Sequence, residues 1–162
     1  GLALAKMARL AGFKIVVIDD RPEFANQQRF PEAERTLVAN FSGVFSKLVI
    51  RSSDYIVIIT HGHKGDEVVL EKALKTEARY ICMFCSSKKN EAIFSQLRAK
   101  GISQEFLDKV YTPIGIRISA QTPAEIAVSI LAEIIKVRRS IQQDQEKGIV
   151  PDIGKRNANH RG

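Results

Sequence analysis

The sequence predicts an α/β domain built on a mostly parallel sheet with flanking helices, and three observations carry that prediction. Short, β-branched, fully apolar runs recur along the chain. Helical periodicities separate them at the spacing βαβ units need. Polar turns follow directly after the runs, where open α/β sheets bind ligands.

Each element follows in order. Residues 1–12 read as a helix already under way, with Leu2, Ala5 and Leu10 in an apolar stripe and no strand or N-cap ahead of it. The first strand of the sheet is therefore expected to be missing or supplied by another segment, leaving an exposed edge. Gly12 stops this helix, and Lys14-Ile15-Val16-Val17-Ile18-Asp19-Asp20 follows as a run of the kind that fills the middle of a parallel sheet. Residues 36–39 form a weaker run, 55–60 a strong one and 79–85 another. Helical patterns cover 66–76, 88–100 and 103–109. The last helix opens at Thr122-Pro123-Ala124-Glu125, a capping box with proline at the first helical position. Ile126, Ile130, Ile134 and Val137 make its core stripe, and Arg138 and Arg139 are expected near its negative end. From Gln142 to Gly162 large apolar residues almost vanish, so the reading is a domain over 1–141 and a polar, mobile tail over 142–162.

Composition narrows the class of function. The 162 residues are 44% hydrophobic and 27% charged, with two Cys and no Trp, which excludes collagen, a disulfide scaffold and wholesale disorder. No apolar run is long enough to span a bilayer and the first residues lack the order of a secretion signal, so the expectation is a cytoplasmic protein with no membrane partner. The formal charge of +7 favours anionic ligands in general. Nucleic acid is not among the expected partners, because acids are interleaved with the cations, aromatic residues make up 7%, and no binding motif appears.

Four constellations could carry chemistry. Gly1, the following helix and strand, and the acids Asp19 and Asp20 have the spacing of the end of a dinucleotide fingerprint, in which the acid grips ribose hydroxyls. The same acids are also ordinary strand ends. Thr60-His61-Gly62-His63-Lys64-Gly65-Asp66 follows a strand; His63 is a candidate ligand contact, and Asp66 either joins it or caps the next helix. No metal site is expected there, since two histidines two residues apart need further ligands. Cys82 and Cys85 have the spacing of a zinc or redox half-site, but Cys82 falls inside a buried strand and no second pair exists, so both are read as reduced thiols. Ser86, Ser87, Lys88 and Lys89 open a helix after a strand, combining hydroxyls, free N–H groups, a positive dipole end and two ammonium groups. That is an anion site, or else a cap with solvated lysines.

Longer strings carry a resemblance. Asp19-Asp20-Arg21-Pro22-Glu23-Phe24-Ala25-Asn26 with Arg29-Phe30-Pro31, Gly62-His63 with Asp66, Tyr80-Ile81 with Ser86, Pro113-Ile114-Gly115, and Ala120-Gln121-Thr122-Pro123-Ala124-Glu125 running on to Ile134 are similar to the C-terminal Rossmann-like domain of the XdhC/CoxI family, accessory factors for molybdenum hydroxylases. Against that pattern, Cys82 and Cys85 stand where the family usually has Gly, Ser87 and Lys88 where it favours Arg, and Arg117 and Ser119 where it favours Asp and Gly. The resemblance implies a maturation factor rather than a catalyst, with no catalytic residue. It would bind the molybdenum cofactor, as molybdopterin or its dinucleotide form, hold it while a cysteine desulfurase supplies a terminal sulfur, and deliver it to an apo molybdenum hydroxylase of the xanthine dehydrogenase type. A homodimer is among the assemblies it admits. The cofactor-binding residues would be Gly1, Asp19, Asp20, His63, Asp66, Ser86, Ser87, Lys88 and Lys89. The competing readings are an NAD(P)-dependent oxidoreductase and a nucleotide-sensing regulatory domain.

Overall fold

In the computed structural model, which describes residues 1–60 and 63–146 with the side chains of 63, 64 and 141–146 left out, the first element is helix α1 (Leu2–Leu10). It ends as the sequence predicts. Gly12, at φ +82°, donates to the Arg9 carbonyl, and Phe13 donates to that of Ala8, the paired bonds of a glycine-terminated helix. Its buried face is Leu4, Ala5 and Ala8, however, and Leu10 is 89% exposed. Leu10 lies outside the stripe assigned to it because the face that meets the sheets is set by residues one turn apart from Leu4.

All pairings among the described strands are parallel, and they form two sheets. Strand β1 (Val16–Asp19) pairs with β2 (Arg35–Val38), and β3 (Tyr55–Ile58) pairs with β4 (Tyr80–Met83), which pairs with the short β5 (Val110–Tyr111). Among the described residues neither β1 nor β3 has a strand on its second side. Burial reports the same division: every residue of β4 is buried, while most of β1 and β3 is only half-buried.

Helix α1 bridges the two sheets on one face. Its Ala5 and Leu2 pack with Ile15, Val17, Phe30 and Ala33 near β1, and its Leu4, Ala3 and Met7 pack with Tyr55, Val57, Tyr80 and Cys82 of β3 and β4. The last helix, α6 (Pro123–Glu146), completes that layer through Ala127, Ile130 and Ile134. On the opposite face, α3 (His63–Ala73), α4 (Ser87–Ala99) and α5 (Gln104–Leu107) bury Leu70, Ala73, Ile93, Leu97 and Leu107 against Ile58, Ile81 and Met83. The result is helices on both faces of parallel strands, the α/β class expected.

Several boundaries differ from the sequence reading. A four-residue helix, α2 (Phe41–Val44), and a 3-10 turn at Phe45–Lys47 were not expected; Asn40 caps α2 by accepting from Ser42 N at 2.9 Å. α3 starts at His63 instead of Asp66, so Asp66 sits inside its first turn and does not cap it. α6 begins with the expected box, in which Glu125 accepts from Thr122 N at 2.9 Å and Thr122 Oγ1 accepts from Glu125 N at 3.2 Å. It runs on to Glu146, into the stretch read as tail, and residues 147–162 lie outside the described residues. Arg138 and Arg139 are therefore not at its end; Arg138 lies over the Phe13 ring, 4.4 Å from its centre.

Candidate functional site

The carboxyl ends of β1, β3, β4 and β5 form one rim, and most of the residues singled out from the sequence stand on it. At the β1 end is a cleft of about 220 Å³ lined by Asp19, Asp20, Arg21, Phe41 and Gly65. Asp19 is fully engaged: Arg21 donates through Nε to Oδ1 at 2.9 Å, through Nη2 to Oδ2 at 3.1 Å, and through its backbone N–H to Oδ1 at 3.1 Å. These bonds hold the Asp19 carboxyl below the usual carboxylate range. Arg21 also stacks on Phe24, 3.9 Å from the ring centre, and Arg29 approaches the same ring at 5.0 Å. Asn26 caps the following turn by accepting from Arg29 N at 2.8 Å, and Ala25 and Phe30 are buried. Most of the string from Asp19 to Phe30 is therefore building the loop. Asp20, with its side chain 55% exposed, is the acid it presents to the cleft.

At the ends of β3 and β4 is a second group. Asp66, completely buried, accepts from Thr60 N at 3.3 Å and from Thr60 Oγ1, and it forms an ion pair with Lys89 Nζ. The pair clasps the end of β3 and the first turns of α3 and α4 together. Gly65 lies under the clasp, and a Cβ there would come within 2.9 Å of Thr60 Oγ1. Lys89 was expected to face an anion; instead it neutralises Asp66, because an unpaired carboxylate at this depth would be costly. Ser86 is the N-cap of α4, accepting from Lys89 N at 3.3 Å, while Ser87 and Lys88 are exposed at the helix start. Cys85 is half-buried beside Asp66, Lys89 and Thr112, and burial raises its pKa. Cys82 packs on the α1 and α6 side and Cys85 on the α3 and α4 side, so the two free thiols point to opposite faces of β4. Among the described residues no three His, Cys, Asp or Glu side chains are grouped to hold a metal ion.

The third part is the loop after β5, entered through a cis Thr112–Pro113 bond. Glu133 of α6 accepts from Gly115 N at 3.0 Å and from the Tyr80 hydroxyl at 2.5 Å; Ser129 donates to the Ile116 carbonyl at 2.6 Å. Ser119, at a position where the resembling family favours Gly, has φ +55°, a left-handed conformation glycine adopts without strain. Gly1 is exposed ahead of α1, and the side chain of His63 lies outside the described residues. Thr60, Arg21 and Phe41 were missed as site residues. Phe41 left no signal, because its short helix has no periodicity to read.

The family profile described as the XdhC Rossmann domain matches residues 1–134. The chain belongs to this family. Its relatives include the uncharacterized protein YqeB of Escherichia coli strain K12, 34% identical over 139 residues, and a probable xanthine dehydrogenase subunit of Bacillus subtilis strain 168, 30% identical over 138. Each alignment covers 85% of this chain but only 25% and 40% of the relative, so the chain spans less than half the length of the curated relatives it matches. A crystal structure described as a xanthine dehydrogenase from Bacillus halodurans superposes with a TM-score of 0.78 at 32% identity, over 88% of this XdhC-family chain and 42% of the other. No helix among the described residues is long and apolar enough to cross a membrane.

Proposed function

We propose that this XdhC Rossmann domain serves xanthine dehydrogenase-type molybdenum hydroxylases as an accessory domain that binds the molybdenum cofactor on its carboxyl rim. Family membership and the names of its relatives support the client class. The observation that carries the ligand reading is the polarity of the rim. One end is the start of α4, where exposed Lys88 and Ser87 adjoin the free N–H groups of a thirteen-residue helix and favour phosphate. The other offers the Phe41 ring and the Asp20 carboxylate, which suit a flat heterocycle and its neutral donors. The cofactor carries those same two kinds of group, so the residues fit it. When bound, it would supply the molybdenum chemistry, and the residues described here would bind and orient it. Transfer of sulfur from a cysteine desulfurase and delivery to the apo-hydroxylase belong to the same proposal, in a cytoplasmic setting.

The test is ligand-induced stabilisation. Molybdopterin or its dinucleotide form should raise the melting temperature of the protein, and more than NAD, NADP or ATP does. Lys88→Ala should weaken that shift at low salt and less at high salt, where screening removes the lysine's contribution. Stabilisation by NAD or NADP alone would favour the oxidoreductase reading instead.

A further inference from the structure

The amino ends of β1 and β2, at the opposite end of the strands from the rim, hold a second cavity of about 410 Å³. Its walls are Arg9 from the last turn of α1, Lys14 and Ile15 ahead of β1, and residues 31–34 ahead of β2. Two of its charged groups are unspent. Glu32 Oε2 is buried with no hydrogen-bond partner, and buried polar atoms left so are rare enough to need a cause. The Arg9 guanidinium has neither an ion pair nor a hydrogen bond among the described residues. Arg9 and Glu32 line the same cavity, yet no N···O contact within 4.0 Å joins them. The backbone keeps them apart. Arg9 is fixed on α1, while Gln27 Nε2 donates to the carbonyls of Pro31 at 3.3 Å and Ala33 at 3.2 Å, and Glu34 N donates to that of Ile15 at 2.8 Å. Lys14 and Glu34 already face each other, 3.6 Å apart and well exposed.

We propose that this cavity binds a small zwitterion, a protonated amine and a carboxylate on an aliphatic frame. The amine donates to Glu32, which supplies the buried Oε2 with the partner it lacks. The carboxylate accepts from Arg9, whose planar fork matches two carboxylate oxygens at once. Ile15, Pro31 and Ala33 offer apolar wall to the carbon frame between them. The volume falls in the range of about 300–1,000 Å³ in which small-molecule sites lie. A ligand with a single charge satisfies only half of the site. An amine alone leaves Arg9 unpaired, and an acid alone leaves Glu32 Oε2 unpartnered and adds a second carboxyl beside it. The inference is independent of the proposed function, since it uses no residue of the carboxyl rim.

The experiment is isothermal titration of the full chain, and of its Glu32→Gln and Arg9→Gln variants, with leucine, 5-aminopentanoate, 3-methylbutylamine and 4-methylpentanoate. These probes carry both charges close together, both charges far apart, the amine alone and the acid alone. At least one zwitterion should bind, about tenfold or more tighter than either singly charged compound, and the better of the two gives the charge spacing of the site. Each variant should weaken that binding on the order of ten- to hundredfold, the size of a lost hydrogen bond to a charged group. Glu32→Gln should leave the melting temperature of the ligand-free chain unchanged or raised, because Oε2 has no protein partner to lose. Failure of all four probes to bind, a singly charged probe binding as tightly as the zwitterions, undiminished binding in either variant, or a lowered melting temperature in Glu32→Gln would each overturn the inference.

Discussion

Replacing Gly115 with alanine tests whether the loop after β5 is locked onto α6. The backbone there has φ +85°, a conformation that costs a residue with a Cβ about 1–2 kcal/mol. The new methyl would overlap Ser129 Oγ and lie 3.1 Å from Ile130 N, so Ser129 must turn away and the helix backbone crowds what remains. Turning Ser129 gives up its bond to the Ile116 carbonyl, worth about 1 kcal/mol, and overpacking of this kind costs about 1–3 kcal/mol. The sum is about 3–6 kcal/mol, a large fraction of the stability of a small domain. Urea titration at neutral pH measures it. In the double variant Gly115→Ala with Ser129→Gly the nearest clash is gone, and a double-mutant cycle should return a favourable coupling of about 1–2 kcal/mol. A loss below about 1 kcal/mol in the single variant, or a cycle with no coupling, would show that the loop is free to move off the helix.

Lys89→Ala should cost toward the lower end of the roughly 3–5 kcal/mol seen when a buried pair loses one member, because Lys89 is itself 18% exposed and Thr60 still donates to the buried Asp66, whereas Lys88→Ala should change stability by no more than about 0.5 kcal/mol; equal effects in thermal melts would contradict the clasp. Ser119→Gly should raise stability by about 1 kcal/mol by relieving its positive φ, and a decrease in the urea midpoint would count against that conformation. Ile130→Ala should cost about 2–5 kcal/mol, since this residue is 2% exposed in the α1 and α6 layer; a cost under about 0.5 kcal/mol would mean the face is open. Burial raises the pKa of Tyr80 and of Cys82, so the folded state keeps protons that the unfolded state gives up near the usual values of about 10 and 8.5. With fewer protons bound in the unfolded state, stability should be full below about pH 8 and fall as pH rises; Tyr80→Phe should flatten part of that slope, and a parent whose urea midpoint is constant from pH 8 to about pH 10.5 would refute it.

The fold was legible wherever local chemistry and tertiary packing agree. The run ending at Ile18 is β-branched, Gly12 supplies a left-handed stop, and Thr122 with Glu125 forms a box that needs no distant partner. It was less legible where tertiary contacts choose among local options. Leu10 has the right hydrophobicity for a core stripe, but the two sheets meet α1 on the side of Leu4 and Ala8. β5 is two residues long and exists because Val110 and Tyr111 pair with Ile81 and Cys82, a partnership distant in sequence that no periodicity announces. The polar residues after Ser140 lack an apolar stripe, yet α6 carries helical geometry through Glu146.

The site divides along a different line. The sequence marks which residues can bear charge but not which charges are already spent. Asp66 and Lys89, on different helices, each read as available to a ligand; folding brings them together, burying Asp66 completely and leaving the Lys89 side chain 18% exposed. Asp19 and Asp20 read as equivalent, and their near neighbour Arg21 makes them unequal by taking both oxygens of one. Among the described site residues, Lys88 at the start of α4 and Asp20 at the end of β1 are exposed charges. Those two are the positions where substitution should alter binding while sparing the fold, because neither side chain is needed to neutralise a buried partner. The reverse holds for Asp66 and Lys89, whose replacement should damage both together, and a binding loss seen only in those variants would therefore report on the scaffold and not on the ligand.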